Sequence, residues 1–362
     1  MESILNNLIF LPFIVAFLVT TAATPLCLIF LKKFGIVDDP KVRRHPAIIH
    51  SKPIPRGGGI PLFIGVLIAG VLFLPISKIT GAIFLASFIA LVIGVLDDKY
   101  DISPYARFVI NIICAIIVVG AGVSVPFITN PLGGILYLNQ YMIPFDTLGI
   151  QGAIVLSDIV AVLWIVWVMN MLNWSKGVDG QMPGIVAISA IIIGILSLRF
   201  GVFDDFSQIS TILSFIIAGS AIGFLIFNFH PAKIFPGYGA TAIYLLLSVV
   251  SILSGAKLAT AILVMGVPLA DGAFTIGRRI LTGHSPFWHD KKHLHHLLLS
   301  SGFGQRRVAL FYWVISAIFG ALSLVLSSRG KIFAIIMLVI IVGGTLLFLN
   351  YLIRKKNGTQ SI

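Results

Sequence analysis

The sequence has few charged residues, and acidic ones are the scarcest. Only 10% of the 362 residues are Asp, Glu, Lys or Arg, whereas about a quarter of residues are charged in soluble domains. Hydrophobic residues make up 58% of the chain and the mean hydropathy is +1.06. This composition excludes an ordinary water-soluble protein, because a soluble core cannot bury that much apolar surface.

Cysteine is nearly absent. The two cysteines, Cys27 and Cys114, each lie within a long apolar run. We therefore interpret them as small apolar residues and not as a disulfide or metal-binding framework. Their number and position indicate nothing about the cellular compartment.

Long apolar runs are what the sequence does contain. A helix needs roughly 20 mostly apolar residues to cross a bilayer, and in lipid its backbone polar groups must bond within the segment. We predict an all-α polytopic membrane protein with about eleven transmembrane helices, or ten, in a single domain over residues 1–362. The predicted spans are residues 8–31, 58–77, 80–96, 105–127, 152–172, 183–199, 209–228, 239–256, 258–276, 308–327 and 332–353.

Lysine and arginine are distributed unevenly between alternate loops. Cytoplasmic loops carry the excess of these residues in membrane proteins, and 20 of the 25 lie on one set of loops and the C-terminal tail. With eleven spans, this asymmetry predicts an N-terminus outside and a cytoplasmic C-terminus. We attribute the net charge of +12 to topology and anionic lipid, and we do not expect nucleic-acid binding. The predicted cytoplasmic loops are residues 32–57, 97–107, 173–182, 229–238 and 277–307, and the opposite side holds Lys78, Arg199, Lys257, Arg329 and Lys331.

Two adjacent carboxylates, Asp97 and Asp98, follow the third predicted span. Such a pair is costly unless a cation, a partner or water offsets desolvation and mutual repulsion. We interpret it as functional, with a solvated loop as the alternative. Pro104 predicts the first turn of the next helix, and the i, i+4 spacing places Arg107 and Asn111 on one face of that helix.

Glycine and amide side chains are prominent on two further cytoplasmic stretches. Arg56 precedes three glycines, which allow the backbone to approach a ligand closely; a membrane-entry turn is the alternative. Asn170 and Asn173 end the fifth predicted span, and Asp179 follows in a glycine-containing loop. Amides in this position can bond sugar hydroxyls or phosphate. The segment 229–241, which contains His230, is interpreted as a Pro/Gly turn.

The last cytoplasmic loop carries a histidine cluster. His293, His295 and His296 follow an aspartate and two lysines, which suits either a zinc site or contact with phosphate. The absence of a cysteine partner and of an HExxH pattern favours phosphate contact. All eight histidines lie on predicted cytoplasmic loops, His45 and His289 among them.

In this order, these stretches resemble the polyprenyl-phosphate N-acetylhexosamine-1-phosphate transferases of glycosyltransferase family 4. The resemblance is carried by the strings PIPRGGGI, GVLDDKYDIS and HLHH and covers nearly the whole chain. It is closer to the UDP-GlcNAc:undecaprenyl-phosphate GlcNAc-1-phosphate transferases than to the related phospho-N-acetylmuramoyl-pentapeptide translocases.

The resemblance implies an all-helical fold with a cytoplasm-facing cleft in the inner or plasma membrane. A polyprenyl phosphate would attack the β-phosphate of a UDP-amino sugar, giving a polyprenyl-pyrophosphate sugar for cell-envelope glycans and UMP, usually with Mg²⁺. Such chemistry needs positioning and charge neutralisation more than a protein nucleophile. A homodimer is compatible with the resemblance. The implied catalytic residues are Asp97, Asp98 and Asp179, and the implied substrate-binding residues are Arg56, Arg107, Asn111, Asn170, Asn173, Lys176, His293, His295 and His296.

The chain departs from the family pattern at two acidic positions. Lys176 stands where the NxxNxxDGxDG element has its first aspartate, and Tyr238 stands where the FxGDxGS turn has a metal-binding aspartate. An ammonium within roughly 4–6 Å of a metal repels it, which puts Mg²⁺ dependence in doubt and leaves Asp98 and Asp179 as the carboxylates able to hold the ion. We expect Lys176 and Tyr238 to form a hydrogen bond or a cation–π contact instead.

Three functions remain open on the sequence alone: an active transferase, a degenerate member that binds lipid phosphate or nucleotide without turnover, and a transporter. Transporters commonly place ionisable groups near the bilayer midplane in repeated halves. Here only Asp158 is predicted well inside a span, and no internal repeat is visible. The transferase is therefore the prediction.

Overall fold

The structure is a computed structural model that describes residues 9–41, 50–130, 133–147, 150–199, 205–255, 258–288 and 290–359. Three residues of the loop and charge predictions, His45, Lys257 and His289, lie outside the described residues. So do the first residue of the predicted span 8–31, the last residue of the predicted span 239–256 and residues 42–49 of the first predicted cytoplasmic loop.

Helices account for most of the described chain. The apolar runs become helices because a backbone surrounded by lipid must form its hydrogen bonds within its own segment. The helices are α1 Leu11–Lys33, α2 Gly59–Phe73, α3 Lys78–Tyr100, α4 Pro104–Gly120, α5 Leu156–Trp174, α6 Gln181–Leu198, α7 Asp205–Asn228, α8 Thr241–Leu253, α9 Leu258–Val264, α10 Gly266–Leu281, α11 Leu294–Ser300, α12 Gln305–Val325 and α13 Ser328–Thr359.

Among the described helices, seven are long and apolar enough to cross a membrane. The pair α9 and α10 meets at a bend of 84° and raises the number to eight if the pair forms one span. Three shorter apolar helices cover Gly59–Phe73, Pro104–Gly120 and Tyr238–Leu253. Ten predicted spans each fall on one described helix, whereas the predicted span 258–276 is divided between α9 and α10. The prediction of a polytopic all-α membrane protein is confirmed, while the count of eleven and the orientation stay predictions.

Local signals mark the helix ends that lead to the predicted site. Helix α3 begins after Ser77, whose hydroxyl accepts the Thr80 N–H in a capping box. It ends at Asp101, which has the left-handed φ of 54°. Helix α4 begins at Pro104 as predicted, because proline suits the first turn, where its missing N–H has no helical partner.

The structure corrects the sequence analysis at two aspartates, Asp158 and Asp271. The prediction that Asp158 lies well inside a span is wrong: a strand covers Ile150–Val155, and Asp158 belongs to the first turn of α5. Asp271, in contrast, lies within α10 and is only 3% exposed. The sequence analysis missed it because a single aspartate inside an apolar run belongs to no motif.

Short strands connect some of the helices. Strands β1 and β2 form an antiparallel pair in which Val37 faces Pro55, and Arg56 then makes a parallel bridge to Phe235. Two further antiparallel pairs lie in the connection between α4 and α5. The strands are β1 Val37–Asp38, β2 Ile54–Pro55, β3 Phe127–Thr129, β4 Ile135–Tyr137, β5 Met142–Thr147 and β6 Ile150–Val155.

The centre of the molecule is formed by α7 and α8. Helix α7 packs against α1, α2, α6 and α8, and every residue of α8 is buried. A helix that is apolar on all sides suits such a central position. The remaining helices surround this pair and expose apolar side chains, such as Ile29, Val71 and Leu347, as expected of a lipid-facing surface.

Three glycines bring the elements of the site into backbone contact. A Cβ atom on Gly94 of α3 would lie 2.4 Å from the Gly239 Cα atom, and one on Gly59 of α2 would lie 2.2 Å from the Gly239 carbonyl carbon. Only glycine permits so close an approach. The start of α2, the end of α3 and the turn at Gly239 are therefore held together, which places Arg56 beside Asp98.

Candidate functional site

A cleft of about 590 Å³ opens where α2, α3, α4 and α5 have their loop ends. Its volume is in the usual range for small-molecule sites, roughly 300–1,000 Å³. The structure brings the predicted site residues of all five loops to this one place. Arg56, Arg107, Asn170, Asn173, Lys176, Asp179, His293, His295 and His296 line the cleft, while Asp97, Asp98 and Asn111 lie behind its lining.

The acidic pair is fully buried and fully paired. The Asp97 carboxylate accepts two hydrogen bonds of 3.0 Å from the Arg107 Nη1 atom. The Asp98 Oδ1 atom lies 2.8 Å from the Arg56 Nε atom. Both carboxylates have 0% exposed side chains, whereas the two arginines retain 14% and 16%. The site therefore presents the cationic partners to the cleft and keeps the carboxylates behind them.

Backbone N–H groups complete the surroundings of Asp98. The Tyr238 N–H donates to the Asp98 Oδ1 atom at 2.8 Å, and the Gly239 N–H approaches the Oδ2 atom at 3.4 Å. Gly237, with φ of 68°, makes this turn possible, because a Cβ atom there would lie 2.1 Å from the Asp98 Oδ2 atom. The oxygens of Asp98 are thus occupied by an arginine and two backbone donors.

Lys176 is held at the centre of this cluster. Its Nζ atom donates to the Gly237 carbonyl oxygen at 2.7 Å and lies 5.7 Å from the centroid of the Tyr238 ring. The expected cation–π contact between these two residues is therefore present. The Arg107 guanidinium lies over the same ring at 4.9 Å, and the Asn111 side-chain amide donates to the Tyr238 hydroxyl at 3.1 Å.

Burial, together with the positive charges of Arg56 and Arg107, lowers the pKa of Lys176 to about 7, against the opposing effect of Asp98 and Asp97. The cluster contains three basic side chains and two carboxylates. An anion such as a phosphate entering the cleft would stabilise the protonated form of Lys176, because an added negative charge favours the ammonium.

Asp179 forms a separate part of the cleft. Its Oδ2 atom lies 2.7 Å from the His230 Nδ1 atom and accepts the Ala232 N–H at 3.1 Å. His230 was interpreted from the sequence only as part of a turn. Only the contact with Asp179 shows that His230 lies at the site, because the two residues are 51 positions apart in the sequence.

The two amides at the end of α5 differ in their surroundings. Asn170 donates its side-chain N–H to the Val166 carbonyl of its own helix at 2.7 Å. The Asn173 Oδ1 atom is buried and accepts no hydrogen bond from any described residue. A buried acceptor that lines a cleft and lacks a protein partner is a candidate for contact with a ligand donor.

The histidine cluster is anchored by an acid that the sequence analysis missed. The His293 Nδ1 atom lies 2.9 Å from the Asp271 Oδ2 atom, and the Leu294 N–H donates to the Asp271 Oδ1 atom at 3.0 Å. His295 packs against the loop that carries Lys176, because a Cβ atom on Gly177 would lie 2.0 Å from the His295 Nε2 atom. The histidine loop therefore supports the lysine loop.

Two of these histidines are neutral at pH 7. Burial, followed by the effects of His293 and Lys291, lowers the pKa of His296 to about 4. Burial and the two neighbouring histidines lower the pKa of His295 well below its usual value. Both rings therefore act as hydrogen-bonding groups and not as cations.

One wall of the cleft contains further residues that sequence reasoning did not select. The Arg279 guanidinium lies 5.2 Å from the Trp174 ring, and Asp290 accepts hydrogen bonds from Arg278 at 2.7 Å and from Arg279 at 3.3 Å. Trp174, Arg279 and Asp290 line the cleft together with Trp288. Aromatic and guanidinium planes at one wall suit the binding of a planar ring.

The three carboxylates predicted to act in the site, Asp97, Asp98 and Asp179, do not form a Mg²⁺ site. This ion prefers carboxylate and phosphate oxygens in an octahedral arrangement, but Asp97, Asp98 and Asp179 already bind arginines, a histidine or backbone donors. No group of three or more acidic, histidine or cysteine side chains able to hold a metal ion occurs in the part of the chain that the structure describes. Lys176 adds a positive charge beside two of these carboxylates.

Comparison with known proteins places the chain in a family. Residues 80–255 match the family model of glycosyl transferase family 4. A probable undecaprenyl-phosphate N-acetylglucosaminyl 1-phosphate transferase of Bacillus subtilis is 35% identical over 87% of this chain and 84% of its own. The decaprenyl-phosphate N-acetylglucosaminephosphotransferase of Mycolicibacterium smegmatis is 30% identical over 95% and 89%. The undecaprenyl-phosphate alpha-N-acetylglucosaminyl 1-phosphate transferase of Haemophilus influenzae is 30% identical over 95% and 92%. Since these similarities extend over nearly the whole chain, as does the order of its motifs, the protein belongs to glycosyl transferase family 4.

Proposed function

We propose that the protein transfers N-acetylglucosamine-1-phosphate from a UDP-sugar to a polyprenyl phosphate and releases UMP. The observation that carries this proposal is the cleft in which Arg56, Arg107 and Lys176 face the ligand space while Asp97 and Asp98 lie behind them. Two phosphorylated substrates must meet in such a site, and fixed positive charge is what their approach requires. The relatives named above act on polyprenyl phosphates and transfer the same sugar phosphate.

The reaction needs no covalent intermediate on the protein. An oxygen of the polyprenyl phosphate forms a bond to the β-phosphorus of the UDP-sugar, and the bond from that phosphorus to the bridging oxygen breaks. The electron pair of that bond leaves with UMP. One phosphate monoester enters the reaction and one leaves it, so the total charge is unchanged. The residues of the cleft bind and orient the two phosphate groups, which accounts for a site built from arginine, lysine, amide and imidazole groups.

The other walls of the cleft suit the remainder of the donor. The Trp174 ring and the Arg279 guanidinium offer planar surfaces for a base. The free Oδ1 atom of Asn173 and the neutral rings of His295 and His296 offer hydrogen-bonding groups to the sugar or the phosphates. These assignments of the predicted substrate residues belong to the proposal.

The proposed enzyme works at the cytoplasmic face of the inner or plasma membrane. Eleven spans, with the N-terminus outside, would place the cleft loops on the side that carries most of the lysine and arginine. The polyprenyl chain would reach the cleft from the lipid. A homodimer, which the family resemblance also allows, stays a prediction.

The topology predicts that all cleft loops react with a membrane-impermeant thiol reagent from the same side. Cys27 and Cys114 are both buried and would first be replaced by alanine. Lys233→Cys, in the turn before Tyr238, is expected to be labelled only from the cytoplasmic side, and Tyr141→Cys, between α4 and α5, only from the opposite side. Labelling of Asp101→Cys and Lys233→Cys from opposite faces would rule out the site as described.

A radiolabelled transfer assay tests the function directly. Membranes containing the protein are expected to convert UDP-N-acetylglucosamine and polyprenyl phosphate into a lipid-linked pyrophosphate sugar and UMP, in proportion to the amount of protein. Membranes without the protein serve as the control. Binding of the nucleotide sugar with no product under any ionic condition would overturn the proposed transfer and leave a binding protein.

A further inference from the structure

The charged cluster of the cleft is arranged so that its cations and not its anions are available to a ligand. Arg56, Arg107 and Lys176 are among the lining residues, whereas the carboxylates of Asp97 and Asp98 have no exposed surface. Four other aspartates also line the cleft, namely Asp38, Asp101, Asp179 and Asp290, but a divalent cation that approaches this cluster would meet its basic groups. A phosphate would meet complementary charge.

Lys176 is held in place by its neighbours. Its Nζ atom lies 5.7 Å from the centroid of the Tyr238 ring and donates to the Gly237 carbonyl oxygen at 2.7 Å. The supporting loop is fixed in turn, because Gly177 packs directly on the His295 ring. A charged group held in place before the reaction loses little free energy to reorganisation when charge develops on the substrate.

We infer that Lys176 provides the fixed positive charge that stabilises the diphosphate during transfer. The reaction then needs no divalent cation at the place where the family pattern has acids and this chain has Lys176 and Tyr238. The inference rests on the proposed function. Under this inference, the Lys176 side chain neutralises the negative charge that develops on the leaving phosphate. The Tyr238 hydroxyl accepts a hydrogen bond from the Asn111 side-chain amide, and the Tyr238 ring contacts the Lys176 ammonium.

The step balances without a proton from Lys176. As the bond between the β-phosphorus and the bridging oxygen breaks, negative charge moves onto the α-phosphate of the departing UMP. The Lys176 ammonium stabilises that negative charge by its own positive charge and remains protonated throughout. Lysine binds phosphate in this way as a point charge, without the paired geometry of arginine.

The charge state of Lys176 gives the inference a pH signature. With a pKa of about 7 in the free protein, the ammonium is present below pH 7 and is lost as the pH rises above it. The value of kcat/KM, which reports the free enzyme, should therefore fall on the alkaline side. The groups that face Lys176 and set this behaviour are Arg56, Asp97, Asp98, Arg107 and Tyr238.

The first experiment compares transfer and metal binding in the unchanged protein. Transfer by the detergent-solubilised enzyme is expected to change by no more than about twofold when EDTA replaces added Mg²⁺. In parallel, calorimetric titration and the electron paramagnetic resonance spectrum of Mn²⁺ should show no tight site. Activity abolished by EDTA, or tight Mn²⁺ binding, would overturn the inference while leaving the proposed transfer intact.

Substitutions at Lys176 separate its charge from its packing. Lys176→Met is expected to lower transfer by about 100-fold, whereas Lys176→Arg keeps a permanent charge and should retain more activity and lose the alkaline fall in kcat/KM. Lys233→Met, at an exposed lysine in the adjoining turn, is the matched control and should behave as the unchanged protein. Equal activity of Lys176→Met and the unchanged protein would contradict the inference, and thermal unfolding would verify that each variant is folded.

The double variant Lys176→Asp with Tyr238→Asp tests the same idea in the opposite direction. It removes the repelling ammonium and returns carboxylates to the two positions where the family pattern has them. We expect this variant, unlike the unchanged protein, to bind Mn²⁺ in the resonance experiment. Absence of Mn²⁺ binding in a folded double variant would show that Lys176 and Tyr238 do not occupy a metal position.

If no protein in the series transfers sugar phosphate under any condition, the proposed function fails independently of the metal.

Discussion

Replacing Asp98 with asparagine is expected to lower the transfer rate by about 100-fold, with a much smaller change in thermal stability. The Asp98 carboxylate accepts from the Arg56 Nε atom and from the Tyr238 N–H. An asparagine side chain carries no charge, and its amide N–H group would face either the Gly239 N–H or, in the other orientation, the Arg56 and Tyr238 donors. Arg56 would then lose its counter-charge and its orientation toward the cleft.

Asp97→Asn should act in the same direction through Arg107, whose guanidinium makes both 3.0 Å hydrogen bonds to that carboxylate. Asp158→Asn is the matched control, because Asp158 lies in the first turn of α5, roughly 24 Å along the helix from its site end. Turnover and thermal unfolding would be measured for all three variants. Unchanged turnover in both Asp97→Asn and Asp98→Asn would refute their place in the reaction.

Replacing Asp271 with alanine is expected to lower transfer by about 10-fold to 100-fold and to destabilise the protein by about 1–3 kcal/mol. The side chain is 4% exposed and accepts from both the His293 ring and the Leu294 N–H. Alanine leaves two buried polar groups without an acceptor. We place Asp271 as a positioning residue, since it acts through the loop that carries His293, His295 and His296.

Two further variants distinguish a positioning role of Asp271 from a loss of stability alone. Asp271→Asn keeps an acceptor for the Leu294 N–H and should recover part of the activity, with KM for the nucleotide sugar affected more than kcat. Thr260→Val removes a buried hydrogen bond to Lys331, at 2.9 Å and away from the cleft, and serves as the control for lost stability alone. Equal transfer by Asp271→Ala and Thr260→Val, at equal stability, would remove Asp271 from the site.

The fold class followed from composition because a bilayer imposes simple requirements on length and polarity. The predicted spans matched described helices, and Pro104 marked a helix start correctly, since both signals are local. Asp158 was misplaced because the apolar residues before it form strand β6 instead of a helix. Apolar runs of this length do not distinguish a strand from the first turns of a helix.

The candidate site was predictable where a motif carried it and not elsewhere. Asp98, Lys176 and His293 were selected from their loops, whereas Asp271 and His230 were not, because each belongs to the site only through a distant partner. Hydrogen bonds between residues such as Asp179 and His230, 51 positions apart, leave no local periodicity in the sequence. Their detection requires the packed helices.

The sequence by itself determined that the chain lies in a membrane and that Lys176 and Tyr238 replace acids of the family pattern, and it predicted that basic and histidine residues gather on alternate loops. Only the tertiary structure decided what those replacements do. The close packing of Gly59, Gly94 and Gly239 brings the loops together, and the buried carboxylates then bind the nearest arginines, because an unpaired charge is costly away from water. The outcome is a cluster that presents Arg56, Arg107 and Lys176 to the cleft and keeps Asp97 and Asp98 behind them. Its assembly depends on the glycine contacts, which join residues more than one hundred positions apart, and not on any single motif.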